Sequence, residues 1–478
     1  MKRETGIARL QHEEFDVLII GGGATGLGCA VDAASRGYRT ALIETGDFAG
    51  ATSSRSTKLV HGGVRYLQQG NIGLVREALL ERSRLLRNAP GLVHPLAFVL
   101  PTGNWRERFY YGTGLRLYDI LARESNVRRS CAIRAAEAAQ SFPALRSTGL
   151  SGALVYWDAH FDDARLAVAL AQTAVNQGAA IANYVCAGNL LYRDSRISGV
   201  TAVDRERNET FEIRARAVIN ATGIFADELR SRDRPGAENL LAFSRGSHLV
   251  ISREALPIRQ TALLVPKTSD GRVLFAVPWH GHALVGTTDV AAYAAEMDPQ
   301  PSFEEIEFLL AAINRYVTRP LRRSDVRSAF AGLRPLVNRG AIKTSRLSRE
   351  HIIDVSPSRL ITITGGKWTT YRKMAQDAVD CARDLAQLPP SPCRTCDLRL
   401  HDVPPMPELE HAVEREMART LTDLLGRRRR TLFVDAAAAG AEATSAVEIL
   451  ARALGRDEGW KRLQLQTFDE VVRRYGAP

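Results

Sequence analysis

Residues 15–45, FDVLIIGGGATGLGCAVDAASRGYRTALIET, constrain this chain more than any other stretch. Val17 to Ile20 form an unbroken apolar run that suits a strand buried on both faces. Gly28 to Arg36 bring small, helix-compatible residues, and Gly37 ends them. The pattern predicts strand, turn, helix and second strand, which is one βαβ unit. At the turn stands Gly21-x-Gly23-x-x-Gly26, with Gly22 inside it. The first glycine permits a tight turn, the second lets a pyrophosphate approach the backbone, and the third lets helix pack on strand. Glu44 closes the second strand about 20 residues on, where an acidic side chain accepts the ribose hydroxyls of an adenosine.

The next stretch narrows the ligand. ATSSRSTKLVHGGVRYL, residues 51–67, gathers short hydroxyl side chains, a Lys, a His and a Gly pair. Taken alone it reads as a polar surface turn. Directly after a dinucleotide fingerprint, Thr52, Ser53, Ser54, Lys58, His61, Gly62 and Gly63 form a loop able to run along the diphosphate and ribityl chain of a flavin. A nicotinamide-dependent fold places its next helix there.

At 478 residues the chain is too long for one core, so two or three domains are expected. The net charge of +11 favours anionic partners without choosing among small anions, lipid and nucleic acid. The amino-terminal residues carry no secretory pattern, and Val17–Val31 is broken by glycines, so neither export nor a membrane span is expected. Six scattered cysteines fit reduced thiols in a cytoplasmic compartment. Cys393-x-x-Cys396 has a metal-like spacing, but a second ligand pair is missing and Pro389, Pro390 and Pro392 crowd the first, so no metal is expected.

Further motifs recur in order: HGGVRYL (61–67), FDDARL (161–166), NATGIFADEL (220–229), RGSHLV (245–250), GTTD (286–289), AGLRPL (331–336), GGKWTTYRKMA (365–375) and EREMARTLTDLLGRRRRTLFVD (414–435). Together they resemble the FAD-dependent glycerol-3-phosphate dehydrogenases, a branch of the D-amino-acid-oxidase-like flavoprotein superfamily. Trp368 stands where Leu is usual, and the segment from Gln387 to Glu410 is shorter than in that family.

The resemblance implies an α/β fold: a Rossmann-like FAD-binding domain, a mixed-sheet substrate (cap) domain and a small helical carboxy-terminal domain. The FAD domain is expected from residues 1–92, 152–242 and 329–388. The cap is expected at 243–328, a membrane-facing insertion at 93–151 and the helical domain at 389–478. Val185, Ala221, Thr222 and Gly223 return to the nucleotide, with Gly223 approaching it backbone-first. Gly366, Lys367 and Thr369 lie at the flavin, where a helix from about Thr369 to Leu388, capped by Thr369, points its amino terminus.

For chemistry the resemblance implies oxidation of sn-glycerol 3-phosphate to dihydroxyacetone phosphate, with electrons passing to a membrane quinone. Arg65, Tyr66, Arg334, Arg349 and Lys367 match the family's substrate-binding positions, and an Arg fork suits phosphate. Lys367 serves either flavin or substrate. His248 is the candidate base, supported by Arg334 and Lys367 as catalytic cations.

Oxygen as acceptor, an amine or hydroxy-acid substrate, and a flavin-binding regulator remain open alternatives. A nucleic-acid role has only Arg427–Arg430 behind it and is not expected. Residues 103–123, GNWRERFYYGTGLRLYDILAR, mix aromatics with arginines. They read either as a surface for anionic lipid or as a lid over the substrate pocket. The expected location is the inner face of the cell membrane, held peripherally from the cytoplasm, and a homodimer is compatible with the sequence.

Overall fold

The computed structural model describes residues 1–64, 67, 70–268, 271–337 and 351–476. Two mixed sheets organise them. The first has the strand order His351–Val355, Ile361–Gly365, Glu209–Asn220, Phe15–Ile20, Thr40–Ile43, Ala180–Ala182. Phe15–Ile20 lies parallel to both its neighbours, and Glu209–Asn220 continues into an antiparallel meander with Arg196–Asp204 and Val185–Arg193. The apolar run from Val17 is buried as its lack of alternation requires. The helix Ala24–Ser35 crosses over between the first two strands and packs between Asp163–Asn176 and Tyr371–Ala386.

The second sheet has ten strands and carries the other large cores. Leu241–Ile251 is its spine, paired antiparallel with His282–Gly286 and along its whole length with Val326–Val337. Val93–Thr102 and Gly152–Phe161 pair through ten residues each in the same sheet. Strands 152–161 and 326–337, expected in the nucleotide domain, therefore belong to the substrate-side sheet. Their backbone partners decide this, and one-dimensional spacing does not reveal them. The helix Phe303–Asn314 covers this sheet, capped by Ser302 with Glu305 bonding back, and buries Ile306, Leu309, Leu310 and Ile313.

The carboxy-terminal region is helical: Leu409–Glu416, a wide turn at Thr422–Arg428, Thr431–Val434, Ala436–Leu454 and Glu458–Tyr475. Its core closes on Val250, Trp279, Leu284 and Phe330 of the second sheet. The four consecutive arginines lie here, and three of them are internal. Arg427 and Arg428 both meet Asp47, at 2.6 and 2.7 Å, and Arg430 meets Asp163 at 3.0 Å. Carboxylates distant in sequence draw these three side chains inward, so the run does not form a basic surface patch. Cys393 lies 3.0 Å from Asp32 Oδ1 and 3.1 Å from Thr395 Oγ1. No helix among the described residues is long and apolar enough to cross a membrane.

Candidate active site

A cavity of about 700 Å³ runs between the two sheets. At one end it meets the glycine turn. Gly21 adopts φ +112°, and a Cβ on Gly26 would stand 1.9 Å from the Gly21 carbonyl oxygen. Only glycines permit this approach. Glu44 accepts from Gly22 N at 2.6 Å and from Gly46 N at 2.8 Å. Burial pushes its carboxyl pKa up against those two bonds. Gly21, Gly22, Gly23 and Gly26 thus shape the turn, Glu44 braces it, and the cavity lining begins at Ala24 and Thr25. Gly23 caps the helix without a side-chain bond, so the cradle a Cβ would fill and the helix amino terminus beside it fit a dinucleotide pyrophosphate.

From there Thr52, Ser53, His61, Gly63, Ala221, Gly223, Gly366, Lys367 and Thr369 line the cavity. Ser53 Oγ accepts from Ala24 N at 3.0 Å, which ties the hydroxyl-rich loop to the helix start. Thr369 Oγ1 accepts from His61 N at 3.3 Å. Helix geometry begins as a short 3₁₀ turn at Trp368–Thr370, and the α-helix runs Tyr371–Ala386 without a side-chain cap. Thr369 is therefore not the cap, because its hydroxyl is turned to His61.

Other expected cofactor residues sit elsewhere. Lys58 is fully buried, bonded to Asp163 at 2.6 Å and the Ser54 carbonyl at 2.8 Å, and surrounded by Trp279, Phe330 and Phe433. Burial lowers its pKa to about 8. Its ammonium braces the loop and does not reach the cavity. Ser54 is buried behind the loop, Gly62 donates to Tyr118 Oη at 2.9 Å, and Thr222 Oγ1 donates to Asn220 at 2.7 Å. Val185 is buried with its N–H on the Glu44 carbonyl. None of these four lines the cavity. Arg65, Tyr66 and Arg349 lie outside the described residues.

At the substrate end, His248 is 2% exposed. Its Nε2 lies 2.9 Å from Thr57 Oγ1, and its ring stacks on Phe330 at 5.1 Å. A Cβ on Gly286 would be 2.2 Å from His248 Cδ2, so the glycine of GTTD makes room for the imidazole. Burial, with Lys58 and Arg334 adding to it, holds the imidazole pKa well below its ordinary value, and His248 is neutral near pH 7. Arg334 is fastened by Ser244 Oγ at 3.2 Å, Thr287 Oγ1 at 2.9 Å and the Thr288 carbonyl at 3.1 Å. The structure thus brings together His248, Arg334, Lys367, Thr52, Ser53, Thr57, His61 and Gly63 in one cavity.

Sequence reading missed Thr57, Arg272 and an aromatic wall that includes Phe98, Tyr156 and Phe275. Arg272 opens a run, Arg272 to Val277, that reads as a strand and carries no mark of a ligand; the strand itself begins at Leu274. The helix Trp105–Ala122 closes the far end: Phe109, Tyr110 and Leu117 line the cavity while Trp105, Phe109 and Ile120 are 71%, 73% and 68% exposed. The same helix lines the cavity and is exposed to the outside.

Residues 16–372 match the family described as FAD dependent oxidoreductase, and residues 396–461 match the C-terminal domain of alpha-glycerophosphate oxidase. The chain is 38% identical to mitochondrial glycerol-3-phosphate dehydrogenase of Macaca fascicularis over 98% of its own length and 75% of that protein. It is 43% identical to the Homo sapiens protein of the same name, over 83% of this chain and 57% of that one. Against several of these curated relatives the chain thus spans little more than half of their length. Among solved structures, the Bacillus halodurans glycerol-3-phosphate dehydrogenase complexed with FAD is 29% identical, with a TM-score of 0.81 over 99% of this chain and 97% of that one.

Proposed function

The chain belongs to the FAD-dependent oxidoreductase family, and on that premise we propose that it oxidises sn-glycerol 3-phosphate to dihydroxyacetone phosphate and passes the electrons to a membrane quinone. FAD would be held by the turn at Gly21–Gly26 and by Thr52, Ser53, His61 and Gly63, and would supply the hydride acceptor. Arg334 and Lys367 hold the phosphate by charge-assisted hydrogen bonds. His248 takes the proton from the C2 hydroxyl at Nε2, and Thr57 connects that nitrogen to the cavity. Because the imidazole is held neutral, it is ready to accept a proton at neutral pH.

One observation carries this reading: a buried neutral histidine and fixed cations share a single cavity with the dinucleotide turn. A carboxylate substrate needs one such cation, whereas a phosphate dianion uses several. Quinone is favoured over oxygen by the helix Trp105–Ala122, whose apolar side chains face both the cavity and the outside. That face suits anionic lipid, and a chain docked there would meet a bilayer-soluble acceptor at the cavity mouth. Assaying dye-linked turnover with glycerol 3-phosphate and identifying dihydroxyacetone phosphate as product tests the activity. Equal turnover of a 2-hydroxy acid would overturn it.

A further inference from the structure

We infer that Arg272 is a second anchor for the substrate phosphate, and that Asp289 is the positioning residue that holds Arg272 and Arg334 as a pair. This rests on the activity proposed above. The two arginines arrive from different strands: Arg334 from Val326–Val337, and Arg272 from the segment that leads into Leu274–Trp279. Both line the cavity, and Asp289 lies between them. Its carboxylate is 3.7 Å from Arg334 Nη1 and 3.6 Å from Arg272 Nη1.

The exposures order the three groups. Each arginine side chain is 24% exposed and Asp289 is 5% exposed, so the two guanidiniums are the more accessible groups in a lining that all three share. Asp289 is itself held by the Ser244 hydroxyl. Its backbone carbonyl accepts from Arg272 Nη1 at 2.7 Å, while Thr287 and the Thr288 carbonyl accept from Arg334. The short run 287–289 therefore fixes both forks. A Cβ on Gly246 would stand 2.2 Å from Arg334 Nη2, so glycine there leaves the guanidinium its place.

Two guanidiniums and the Lys367 side chain line this end of the cavity beside the carboxylate of Asp289. A carboxylate ligand would be satisfied by one fork. A phosphate monoester offers three terminal oxygens and two charges, and two preset forks match it without reorganisation. Arg272 would then set specificity for phosphorylated over free polyols.

The holoenzyme and its Arg272→Gln, Arg272→Lys and Asp289→Asn variants test this, with glycerol 3-phosphate and glycerol as substrates and inorganic phosphate as competitive inhibitor. Arg272→Gln should raise KM for glycerol 3-phosphate about 10- to 100-fold. Inhibition by inorganic phosphate should weaken in parallel, and slow turnover of glycerol should fall far less than that of glycerol 3-phosphate. Arg272→Lys should recover part of the loss. Asp289→Asn should erode the preference for glycerol 3-phosphate over glycerol with FAD content and thermal midpoint retained. If Arg272→Gln harms both alcohols equally, or leaves phosphate inhibition intact, Arg272 is only a brace for residues 287–289. A wild-type enzyme without preference for glycerol 3-phosphate would overturn the activity and this inference together. A preference that survives Arg272→Gln overturns the inference alone.

Discussion

Arg427–Arg430 and the helix Trp105–Ala122 are both arginine-rich, yet the structure uses the charge in opposite ways. Arg427, Arg428 and Arg430 are buried and matched by Asp47, Asp423 and Asp163. They fasten the helical domain to the flavin side of the molecule. Arg106, Arg108 and Arg116 form no ion pair among the described residues, and Arg106 lies over the Trp105 ring at 5.6 Å. Local charge density therefore does not locate a docking surface. The decisive factor is whether carboxylates elsewhere in the chain are brought to meet the arginines, and Asp47, far away in sequence, is such a carboxylate.

The largest expected effect comes from breaking the buried set. Arg428→Ala leaves Asp47 buried with one partner fewer, and thermal or denaturant unfolding should show a loss of about 3–5 kcal/mol. A loss below about 1 kcal/mol would place Arg428 among surface charges. Burial would raise the Asp47 pKa, but Arg428 and Arg427 outweigh it and hold the group down to about 2. A carboxyl depressed in the folded state contributes stability above its unfolded pKa near 4, lost as pH falls towards 2. The wild-type melting temperature should drop across that window, and Arg428→Ala should flatten the drop.

Arg334 lies between the two extremes, partly exposed and loosely shared with Asp289. Arg334→Ala should cost about 2–4 kcal/mol of transition-state binding, a fall in kcat/KM of about 30- to 1,000-fold, with FAD content normal. Loss of flavin with activity would make Arg334 a structural cation like Arg428.

On the exposed helix the effects are smaller. Trp105 and Ile120 do not line the cavity, so replacing both with Ser should weaken binding to anionic vesicles about tenfold and leave dye-linked turnover intact. Unchanged vesicle binding would make this helix a lid alone. Arg106→Gln should cost about 1 kcal/mol of vesicle binding, recoverable in neutral vesicles or high salt where the wild type loses it as well.

The βαβ unit and the hydroxyl loop were legible because their residues are contiguous and their reasons local: glycines where backbones touch, an apolar run where a strand is buried. His248, Arg334 and Lys367 were found through motifs, and the fold does bring them to one cavity. Lys58 misled because an ammonium reads as a ligand contact until its buried carboxylate is seen. The membership of strand 152–161 was hidden for a similar reason, since its partner 93–102 is far away in sequence. Arg272 read only as the first residue of a strand, and its place beside Asp289 appears only in the fold.

The central claim is that cations fixed in the flavin cavity select a phosphorylated alcohol. Anaerobic mixing of the yellow holoenzyme with glycerol 3-phosphate or with glycerol, followed at the flavin absorption band, measures it directly. Rapid bleaching by glycerol 3-phosphate and little or none by glycerol at equal concentration is the predicted result. Equal bleaching rates by the two alcohols would contradict it.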